Sequence, residues 1–400
     1  MKFLFYGTHP QQTNGYARIA HRITNFLATQ GIEVYYFAIT NYNAILPRPI
    51  HPLITLYDCF QHNPQDPFGF QWISSVVNEI KPDVVMLYND ILVLTQVVAQ
   101  LPVQKSFSLQ LYIDLVYPFE HVDLVTNLIN TADRLYTFSS CWTKNLIQMG
   151  APKEKLFLLT NGIDTKYLPC KKEDIGLKSS DWIILNTNRN THRKAIDLTI
   201  SSFVSLLKLI KSKNMDCYSV KLFLNFTQEN TSYDIQEIIK VQSKKYNIPL
   251  QDLLHHHIVM LPDAGKISDE KVMQLYSLCD VGLNTCFGEG LGLCNLEHGS
   301  LGKPQVVTAT GALVDIFQDF PQMLVQPKAR LYCPNSMDMH GGYLDICTPE
   351  DIAQKLFWFY TNQDQGKKLG EKLEVYIRKN YSWNNILQKF LVDLRSTSFK

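Results

Sequence analysis

The sequence predicts an α/β protein of two successive doubly wound domains, each built on a parallel β-sheet. Three observations support this fold class. Short apolar runs alternate with amphipathic helical patterns along the first half of the chain, the alternation stops at the polar stretch 170–181, and it then starts again. Apolar strands separated by helices are typical of a parallel sheet that is covered on both faces. With 400 residues, of which 46% are hydrophobic, the chain can bury two such cores.

Apolar runs predict the strands of both sheets. In the first domain the predicted strands are 2–7, 33–39, 83–88, 108–114, 134–139 and 155–160. In the second domain they are 182–188, 220–226, 257–261, 281–285 and 305–309. The C-terminal portion, 349–398, reads as helical throughout, and the polar stretch 170–181 is predicted to be the interdomain linker. Two such domains are expected to form a ligand cleft between the carboxyl ends of their sheets.

The charge balance and the cysteine pattern argue against several classes of protein. The net charge is +1, from 38 basic and 37 acidic residues, which does not suit a nucleic-acid binder with a broad basic face. The nine cysteines contain no CxxC pair and no metal-ligand spacing, so we expect reduced thiols in a cytoplasmic protein. The apolar run before Gly7 is too short for a signal peptide, and no run is long enough to span a membrane. Peripheral contact with a membrane stays open.

The loop after the first predicted strand, "GTHPQQTNGYAR", contains a helix-start signal. Asn14 is a good N-cap, and Gly15 stands at the first helical position. A helix start of this kind offers N–H groups to an anion. Taken alone, however, the loop reads more simply as an ordinary βα connection.

The first loop of the second domain, "NRNTHRKAID", carries several cations. Arg189 and Lys194 lie five positions apart across a turn, and fixed cations at a strand end suit a phosphate or diphosphate. A solvated loop with surface charges is an equally good interpretation of this stretch alone. Arg193, which neighbours Lys194, is expected to face solvent.

The stretch "FGEGLGLCNLEHGSLGKP" at 287–304 has glycine on alternate positions, at Gly288, Gly290 and Gly292. A helix or strand interior would not choose this pattern, so it predicts a loop that lets a ligand lie against the backbone. Glu289 falls in the loop and Glu297 about two turns into the following helix, and carboxylates accept hydrogen bonds from sugar hydroxyls. The alternative is a glycine-rich turn with two surface glutamates. The dinucleotide fingerprint G-x-G-x-x-G is disfavoured, because Gly288 and Gly290 are followed by Leu293 and Cys294 and the last glycine of that pattern is missing.

These motifs together resemble the retaining GT-B glycosyltransferases of family 4. The pattern E-G-x-G-L, with a second glutamate eight positions after the first and G-K-P beyond it, is the most specific of them. The stretches "NGID", "NRNTHRKAID", "LYSLCDVGLNTCFGEGLG" and "TATGALVDIF" resemble further family elements in the same order. The resemblance covers most of the chain.

The resemblance implies a GT-B fold, in which two Rossmann-like domains face each other across a cleft. It implies an N-terminal acceptor-side domain over 1–172 and a C-terminal donor-binding domain over 173–381. The last helix, 382–400, is expected to cross back onto the first domain.

The resemblance also implies roles for charged residues. Arg189 and Lys194 would bind the donor diphosphate, Glu289 the transferred sugar, and Glu297 the donor ribose. Asp114 aligns where many members have a histidine near the sugar, and an aspartate donates no proton at neutral pH unless its pKa is raised. Its role is therefore an open point within an expected catalytic set of Glu289, Arg189, Lys194 and Asp114.

The remaining donor contacts would come from the backbone and from loop ends. Asn14 and Gly15 would lie beneath the diphosphate, although the family's usual double glycine is here a single one, and Asn188 stands where glycine is common. The base is expected near Met260 and Leu261, with Asp263 or Lys266 nearby. The N–H groups that would contact sugar hydroxyls and phosphate belong to Gly290, Leu291, Gly292 and Leu293.

The expected function is transfer of a hexose from a nucleotide-diphosphate sugar to a hydroxyl acceptor, with retention of the anomeric configuration. GDP-mannose is preferred over a UDP-hexose as donor, and the acceptor is a glycan, a lipid or a small molecule. No D-x-D pair occurs, so neither a metal nor a further cofactor is expected. The alternatives are a non-catalytic sugar-nucleotide or glycan-binding protein and a GT-B-type epimerase or hydrolase. Acceptor candidates by location are Tyr88, Asn89, Asp90 and Asp114.

Overall fold

The computed structural model describes residues 1–12, 14–40, 48–225, 232–261 and 268–397. Their contacts divide the chain into two compact domains. The first comprises Met1–Gly162 and Trp383–Lys400, and the second comprises Ile163–Ser382. Among the described residues, no helix combines the length and the apolar character needed to cross a membrane.

The stretch that the sequence analysis assigned to a linker packs with the second domain. Lys172 donates to Asp280 at 2.8 Å, and a short 3₁₀ turn covers Lys172–Ile175. The backbone N–H of Leu168 donates to the Ser277 hydroxyl at 3.3 Å. The observed division after Gly162 therefore precedes the predicted boundary at 172, because the polar stretch is tied to the second sheet by side-chain hydrogen bonds.

The first domain is built on a seven-stranded parallel sheet with the order β3-β2-β1-β4-β5-β6-β7. Its strands are β1 Lys2–Thr8, β2 Glu33–Ile39, β3 Ile54–Asp58, β4 Val84–Asp90, β5 Ser108–Asp114, β6 Arg134–Thr137 and β7 Leu156–Leu158. Its helices before the second domain are α1 Gly15–Thr29, α2 Cys59–His62, α3 Ile73–Ile80, α4 Ile91–Gln100, α5 Val122–Thr131 and α6 Ser140–Gln148. Strand β3 was not predicted, although it contains Ile54, Leu56 and Tyr57; it is an edge strand in which only Asp58 is buried.

The second domain repeats the plan with a six-stranded parallel sheet of order β10-β9-β8-β11-β12-β13. The strands are β8 Trp182–Asn186, β9 Val220–Leu224, β10 Ile258–Met260, β11 Val281–Asn284, β12 Gln305–Thr308 and β13 Leu324–Val325. An antiparallel hairpin, β14 Ala329–Cys333 with β15 Gly342–Ile346, forms a separate small sheet.

Helices surround the second sheet and continue to the C-terminus. They are α7 Ile196–Ser212, α8 Ile235–Tyr246, α9 Leu250–Asp252, α10 Asp269–Leu278, α11 Leu293–Gly299, α12 Ala312–Phe317, α13 Asn335–Asp338, α14 Pro349–Thr361, α15 Gln363–Asn380 and α16 Trp383–Thr397. The expectation of a helical C-terminal portion is confirmed from α14 onward.

Helix α16 belongs to the first domain, as predicted. Asp393 accepts from Arg134 Nε at 3.1 Å and from the Tyr136 hydroxyl at 2.9 Å, and the ring of Phe390 lies 5.4 Å from that of Tyr136. At the entry to the helix, a Cβ on Gly162 would lie 2.7 Å from the Trp383 Cα, so this position needs a glycine. The chain therefore returns to its N-terminal sheet.

Both parallel sheets are covered on their two faces. Consecutive residues of β1, such as Phe3, Leu4 and Phe5, are fully buried, and so are Ile183 and Ile184 of β8. Successive side chains of a strand point to opposite faces, so burial of neighbours means that helices pack on each side. The apolar runs in the sequence predicted the strands for this reason.

Candidate active site

The candidate site lies at the carboxyl edge of the second sheet. The strand order reverses between β8 and β11, which are hydrogen-bonded neighbours. In open α/β sheets, ligands bind outside the carboxyl ends of the strands at such a reversal. The residues after β8 (187–195, the cationic loop) and those after β11 (285–292, the glycine loop) start there. The two most informative sequence motifs therefore meet at one place.

A buried ion pair joins the two loops. Lys194 Nζ donates to Glu289 Oε2, and both residues are more than nine-tenths buried. Lys194 ends a 3₁₀ turn, and Ala195 then takes a positive φ of 48° before helix α7 begins. This left-handed step is uncommon for a residue with a Cβ, and the buried surroundings hold it in place.

The Glu289 carboxylate is ionised in this environment. Burial alone would raise its pKa, but the positive charges of Lys194 and Arg193, with hydrogen bonds from Lys194 and Asn284, outweigh burial. Together they lower the pKa of Glu289 to about 2. The site thus holds a fixed negative charge next to two fixed positive charges.

A chain of amide side chains supports Glu289 from the strand side. Asn284, the last residue of β11, donates through Nδ2 to Glu289 Oε2 at 3.3 Å and to Asn295 Oδ1 at 2.7 Å. Asn295 in turn donates to Gln305 Oε1 at 3.0 Å. A Cβ on Gly282 would lie 2.0 Å from Gln305 Oε1, so the network requires glycine in β11. Buried networks of this kind fix a carboxylate in position when every member is satisfied.

A second network of hydroxyl groups fixes the start of helix α7. Thr285 donates to the Ala195 carbonyl at 3.0 Å, and its oxygen lies 2.6 Å from the Thr199 hydroxyl. Asn186 donates to the same Thr199 hydroxyl at 2.8 Å. These buried contacts connect the ends of β8 and β11 to the residue that follows Lys194.

Arg193 is placed differently from the expectation. Its guanidinium donates to the Gly288 carbonyl at 2.8 Å and lies 3.6 Å from Glu289 Oε1. The expectation that Arg193 faces solvent is wrong, because the 3₁₀ turn directs both Arg193 and Lys194 toward the glycine loop. The side chain of Arg189 is exposed instead, and within the described part of the chain no hydrogen bond or ion pair engages its guanidinium.

The glycine loop is buried and leads into helix α11. Gly292 takes a φ of 84°, and a Cβ there would lie 2.7 Å from Leu313 Cδ2. Both its conformation and its crowding therefore favour glycine. The other backbone positions predicted to contact the donor, Gly290, Leu291 and Leu293, lie in or next to this loop, and Gly290 and Leu291 are buried.

Glu297 lies inside helix α11, as the sequence indicated, although about one turn after the helix start rather than two, and it is buried rather than a surface glutamate. Its Oε2 accepts from the Tyr276 hydroxyl at 3.4 Å. The next residue, His298, stacks on the Tyr276 ring with centroids 5.1 Å apart. Burial, followed by the charge of Lys303, lowers the pKa of His298 to about 3, so this histidine is neutral.

The residues predicted near the nucleotide base lie at an edge strand of the same sheet. Met260 ends β10, and Leu261 donates its N–H to the Leu224 carbonyl at 3.1 Å. Asp263 and Lys266, the other residues suggested there, lie outside the described residues.

The first domain presents a different group of side chains at its own carboxyl edge. Asn14 caps helix α1 by accepting from the Ala17 N–H at 2.9 Å, and Gly15 is the first helical residue, as predicted. The hydroxyl of the next residue, Tyr16, donates to Asp114 Oδ2 at the end of β5. Burial, followed by the charge of Asp114, raises the pKa of Tyr16 well above its usual value, so Tyr16 stays protonated.

The structure adds residues that the sequence analysis did not single out. Asn284 is the clearest case, and its position as a polar residue at the end of an apolar strand was a signal for it. Asn188 was noted only as a departure, yet its Nδ2 is buried and has no hydrogen-bond partner among the described residues. The side chains of His192, Cys333 and Asp338, which come from segments far apart in the sequence, bring their polar atoms within 4.8 Å of one another.

Comparisons with known proteins relate this architecture to solved structures. No protein-family model matches the chain, and no curated protein matches it. Sucrose-phosphate synthase from Thermosynechococcus elongatus matches with a TM-score of 0.73 at 16% identity, over 99% of this chain and 98% of that chain. Anabaena HepE in complex with UDP and glucose matches with a TM-score of 0.69 at 14% identity, over 99% and 100%. Another structure of HepE contains UDP-glucose.

A trehalose 6-phosphate synthase from Burkholderia multivorans matches with a TM-score of 0.69 at 12% identity, over 99% of this chain and 96% of that chain. At these identities the likeness shows the fold. Together with the two parallel sheets and the return of helix α16, it confirms the predicted class of two Rossmann-like domains in a GT-B fold.

Proposed function

We propose that this protein is a glycosyltransferase that moves a hexose from a nucleoside-diphosphate sugar to a hydroxyl acceptor. The buried pair of Lys194 and Glu289, with Arg193 beside it, carries the proposal. It provides fixed charges of both signs at the strand-order reversal of a Rossmann-like sheet, where a ligand with an anionic part and a hydroxyl-rich part can bind. The GT-B likeness over the whole chain supports the same reading.

In this proposal, Arg189 and Lys194 stabilise the leaving diphosphate. Negative charge grows on the diphosphate as the bond to the sugar breaks, and preorganised donors stabilise such charge. Lys194 is held by the 3₁₀ turn, and Arg189 is exposed at the start of the same loop. Arg189 therefore supplies a guanidinium to the outer part of the diphosphate, and Lys194 supplies an ammonium to the inner part.

In the same proposal, Glu289 binds the transferred sugar. Its pKa of about 2 keeps it ionised at neutral pH, so it accepts hydrogen bonds from sugar hydroxyls and donates no proton. The negative charge also favours the positive charge that develops on the sugar ring. With the family 4 resemblance, we propose that transfer retains the anomeric configuration. Glu297 accepts from the donor ribose, and Met260 and Leu261 lie at the base.

The donor nucleotide is proposed from the comparisons rather than from the site. GDP-mannose was the expected donor, but this expectation has no support from the matched structures, which include complexes of HepE with UDP and with UDP-glucose. We therefore propose a UDP-hexose as the first donor to test, with GDP-mannose as the competitor. The acceptor is a hydroxyl compound bound by the first domain, with Asp114 as a contact.

The test measures nucleoside-diphosphate release from UDP-glucose, other UDP-hexoses and GDP-mannose, with and without a panel of hydroxyl acceptors. Release that depends on an acceptor supports transfer. Release without acceptor indicates a hydrolase, a new sugar nucleotide indicates an epimerase, and binding without turnover of any donor indicates a non-catalytic protein. Lys194→Ala is expected to abolish most of the release, and Lys213→Ala, on an exposed lysine at the end of α7, is the matched control.

A further inference from the structure

Three side chains of different chemistry meet beside the cationic loop. A ring nitrogen of His192, the thiol of Cys333 and a carboxylate oxygen of Asp338 all lie within 4.8 Å of one another. His192 Nδ1 and Asp338 Oδ2 are 3.6 Å apart. With zinc–ligand bonds of about 2.0–2.3 Å, the edge of a tetrahedral site is about 3.3–3.8 Å. One edge already has this length, and the others need to close by at most about 1.5 Å.

The histidine nitrogen at this cluster lacks a partner. Nδ1 of His192 is buried and makes no hydrogen bond with any described residue. Its distance to Asp338 is too long for a hydrogen bond. A buried polar atom without a partner is costly, and such exceptions in a folded protein call for an explanation. A bound cation would satisfy this nitrogen.

The surrounding contacts hold the ligands in place before any ion binds. Asp338 accepts the His340 N–H through Oδ1 at 3.2 Å, which leaves Oδ2 facing His192. The backbone of His192 is fixed on both sides, by donation to the Ser232 hydroxyl at 3.1 Å and by acceptance from the Tyr233 hydroxyl at 3.3 Å. Outer contacts of this kind orient metal ligands in known sites.

We propose that His192, Cys333 and Asp338 form a Zn²⁺ site that has a fourth position open to water or to the thioether of Met337. Met337 Sδ lies 3.9 Å from Cys333 Sγ, so it is within reach. Imidazole, thiolate and carboxylate are the ligands of protein zinc, whereas Mg²⁺ and Ca²⁺ prefer oxygen alone. The expectation that the chain binds no metal rested on sequence spacing, and spacing cannot detect ligands from a turn and a distant hairpin.

The ion would connect two parts of the second domain. Cys333 ends β14 and is 1% exposed, Asp338 ends α13 between the hairpin strands, and His192 begins the turn that carries Arg193 and Lys194. Binding of Zn²⁺ therefore ties the connection of the hairpin to the cationic loop. This inference does not rest on the proposed function, because the site uses residues that take no part in the transfer chemistry.

Cobalt spectroscopy on the whole chain tests the site. After chelator treatment, Co²⁺ is titrated into the protein, and the thiolate-to-cobalt charge-transfer band and the ligand-field bands report a cysteine-containing tetrahedral site. We expect one Co²⁺ per chain, displaced by Zn²⁺, and a rise in the thermal midpoint when Zn²⁺ is added. Cys333→Ser is expected to remove the charge-transfer band, and Cys217→Ser, at another buried free cysteine of the domain, to leave it intact.

Two further variants keep the test decisive if Cys333→Ser fails to fold. His192→Gln and Asp338→Asn each remove one ligand, and each is expected to weaken Co²⁺ binding by about 100-fold or more, the upper range for losses at outer contacts. The proposal is overturned if the wild-type chain gives no thiolate band. It is equally overturned if the band and the affinity persist in Cys333→Ser or in both ligand variants, since the ion then binds other thiols.

Discussion

Both parallel sheets reverse their strand order, between β1 and β4 and between β8 and β11, but their carboxyl edges carry different side chains. In the second domain the edge carries a buried ion pair, Lys194 with Glu289, supported by amides that start at Asn284. In the first domain the edge carries stacked rings: Tyr88 and Tyr112 lie in register on β4 and β5 with centroids 4.7 Å apart. The ring of Tyr16 lies 5.1 Å from that of Tyr88, and its hydroxyl meets Asp114.

The difference indicates how the two edges can treat a ligand. Fixed charges in a buried setting stabilise charge that develops during a reaction, because they need no reorganisation. At the edge of the first sheet, Tyr88 and Tyr112 are fully buried and form the floor, whereas Asp114 is half-buried. A half-buried carboxylate suits a neutral ligand with hydroxyl groups, since it accepts their hydrogen bonds. Under the proposed function, substitutions at the carboxyl edge of the second sheet should change turnover of the donor. Substitutions at the carboxyl edge of the first sheet should change recognition of the acceptor.

The largest effect is expected for Lys194→Ala. In the proposed function this variant lacks the ammonium that stabilises the leaving diphosphate, so we expect kcat to fall by about 10²–10³, as for loss of one preorganised donor to a developing charge. Steady-state kinetics with saturating donor measures it. Lys194→Arg should recover part of the loss, because the planar guanidinium places its donors differently from an ammonium.

The free energy of unfolding of Lys194→Ala must also be measured, since removing one partner of a buried ion pair typically lowers it by about 3–5 kcal/mol. Lys213→Ala, on an exposed lysine, should change neither kcat nor the free energy of unfolding. A folded Lys194→Ala protein with normal kcat would show that the phosphate site has been placed on the wrong residue.

The second effect concerns acid stability of the second edge. The pKa of Glu289 is lowered from 4.5 to about 2, so its stabilising contribution is complete above pH 4.5 and is lost as the pH falls toward about 2. The shift corresponds to roughly 3 kcal/mol. Denaturant midpoints measured across this pH window should fall steeply for the wild type and less steeply for Glu289→Gln. Equal slopes in the two proteins would contradict an ionised, paired Glu289.

The sequence could predict the strands that are buried on both faces, because their apolar runs record the burial directly. Val281–Asn284 and Ser108–Asp114 are examples within one residue of the predicted ranges. It could not predict the hairpin strand Ala329–Cys333, whose residues are mostly exposed, because exposure removes the apolar pattern on which the prediction depends. The strand Ile54–Asp58 was missed although it contains Ile54, Leu56 and Tyr57; it lies at the edge of its sheet, and only Asp58 is buried.

The site shows the same limit. The glycine pattern and the helical period predicted that Glu289 lies in a loop and Glu297 in the helix that follows it. Local rules alone identified Asn14 as a helix cap. The direction of Arg193 could not be predicted, because it depends on the positive φ of Ala195 and on contacts with the glycine loop. Contacts between distant segments leave no local pattern in the sequence.

A third, smaller effect is expected for Glu297→Ala. The proposed partner of Glu297 is the donor ribose, which does not change during the reaction, so the substitution removes binding that ground state and transition state share. We expect the donor KM to rise by about tenfold, the lower range for a hydrogen bond to a charged group, while kcat stays nearly constant. Glu289→Gln is the contrasting variant, in which kcat should fall. The same pattern in both variants would contradict the assigned roles.

The smallest effect, and the one that tests the first edge, is expected for Tyr16→Phe. The variant keeps the ring against Tyr88 and removes only the hydroxyl that donates to Asp114, so we expect a stability loss of about 1 kcal/mol, the net value of one hydrogen bond. The donor KM should change less than the acceptor KM, because the backbone of Asn14 and Gly15, which is expected beneath the diphosphate, is left intact. The acceptor KM should change several-fold, because the Asp114 carboxylate loses the contact that orients it toward an acceptor hydroxyl.

Tyr35→Phe is the matched control for this last substitution. Tyr35 also donates to a carboxylate, that of Glu33, but Glu33 is exposed on β2, where water replaces the hydroxyl at little cost. We expect no change in either KM and a stability change within about 0.5 kcal/mol. If Tyr16→Phe changed the donor KM as much as the acceptor KM, the Tyr16 hydroxyl would affect both substrates. That result would contradict separate acceptor and donor roles for the two sheets.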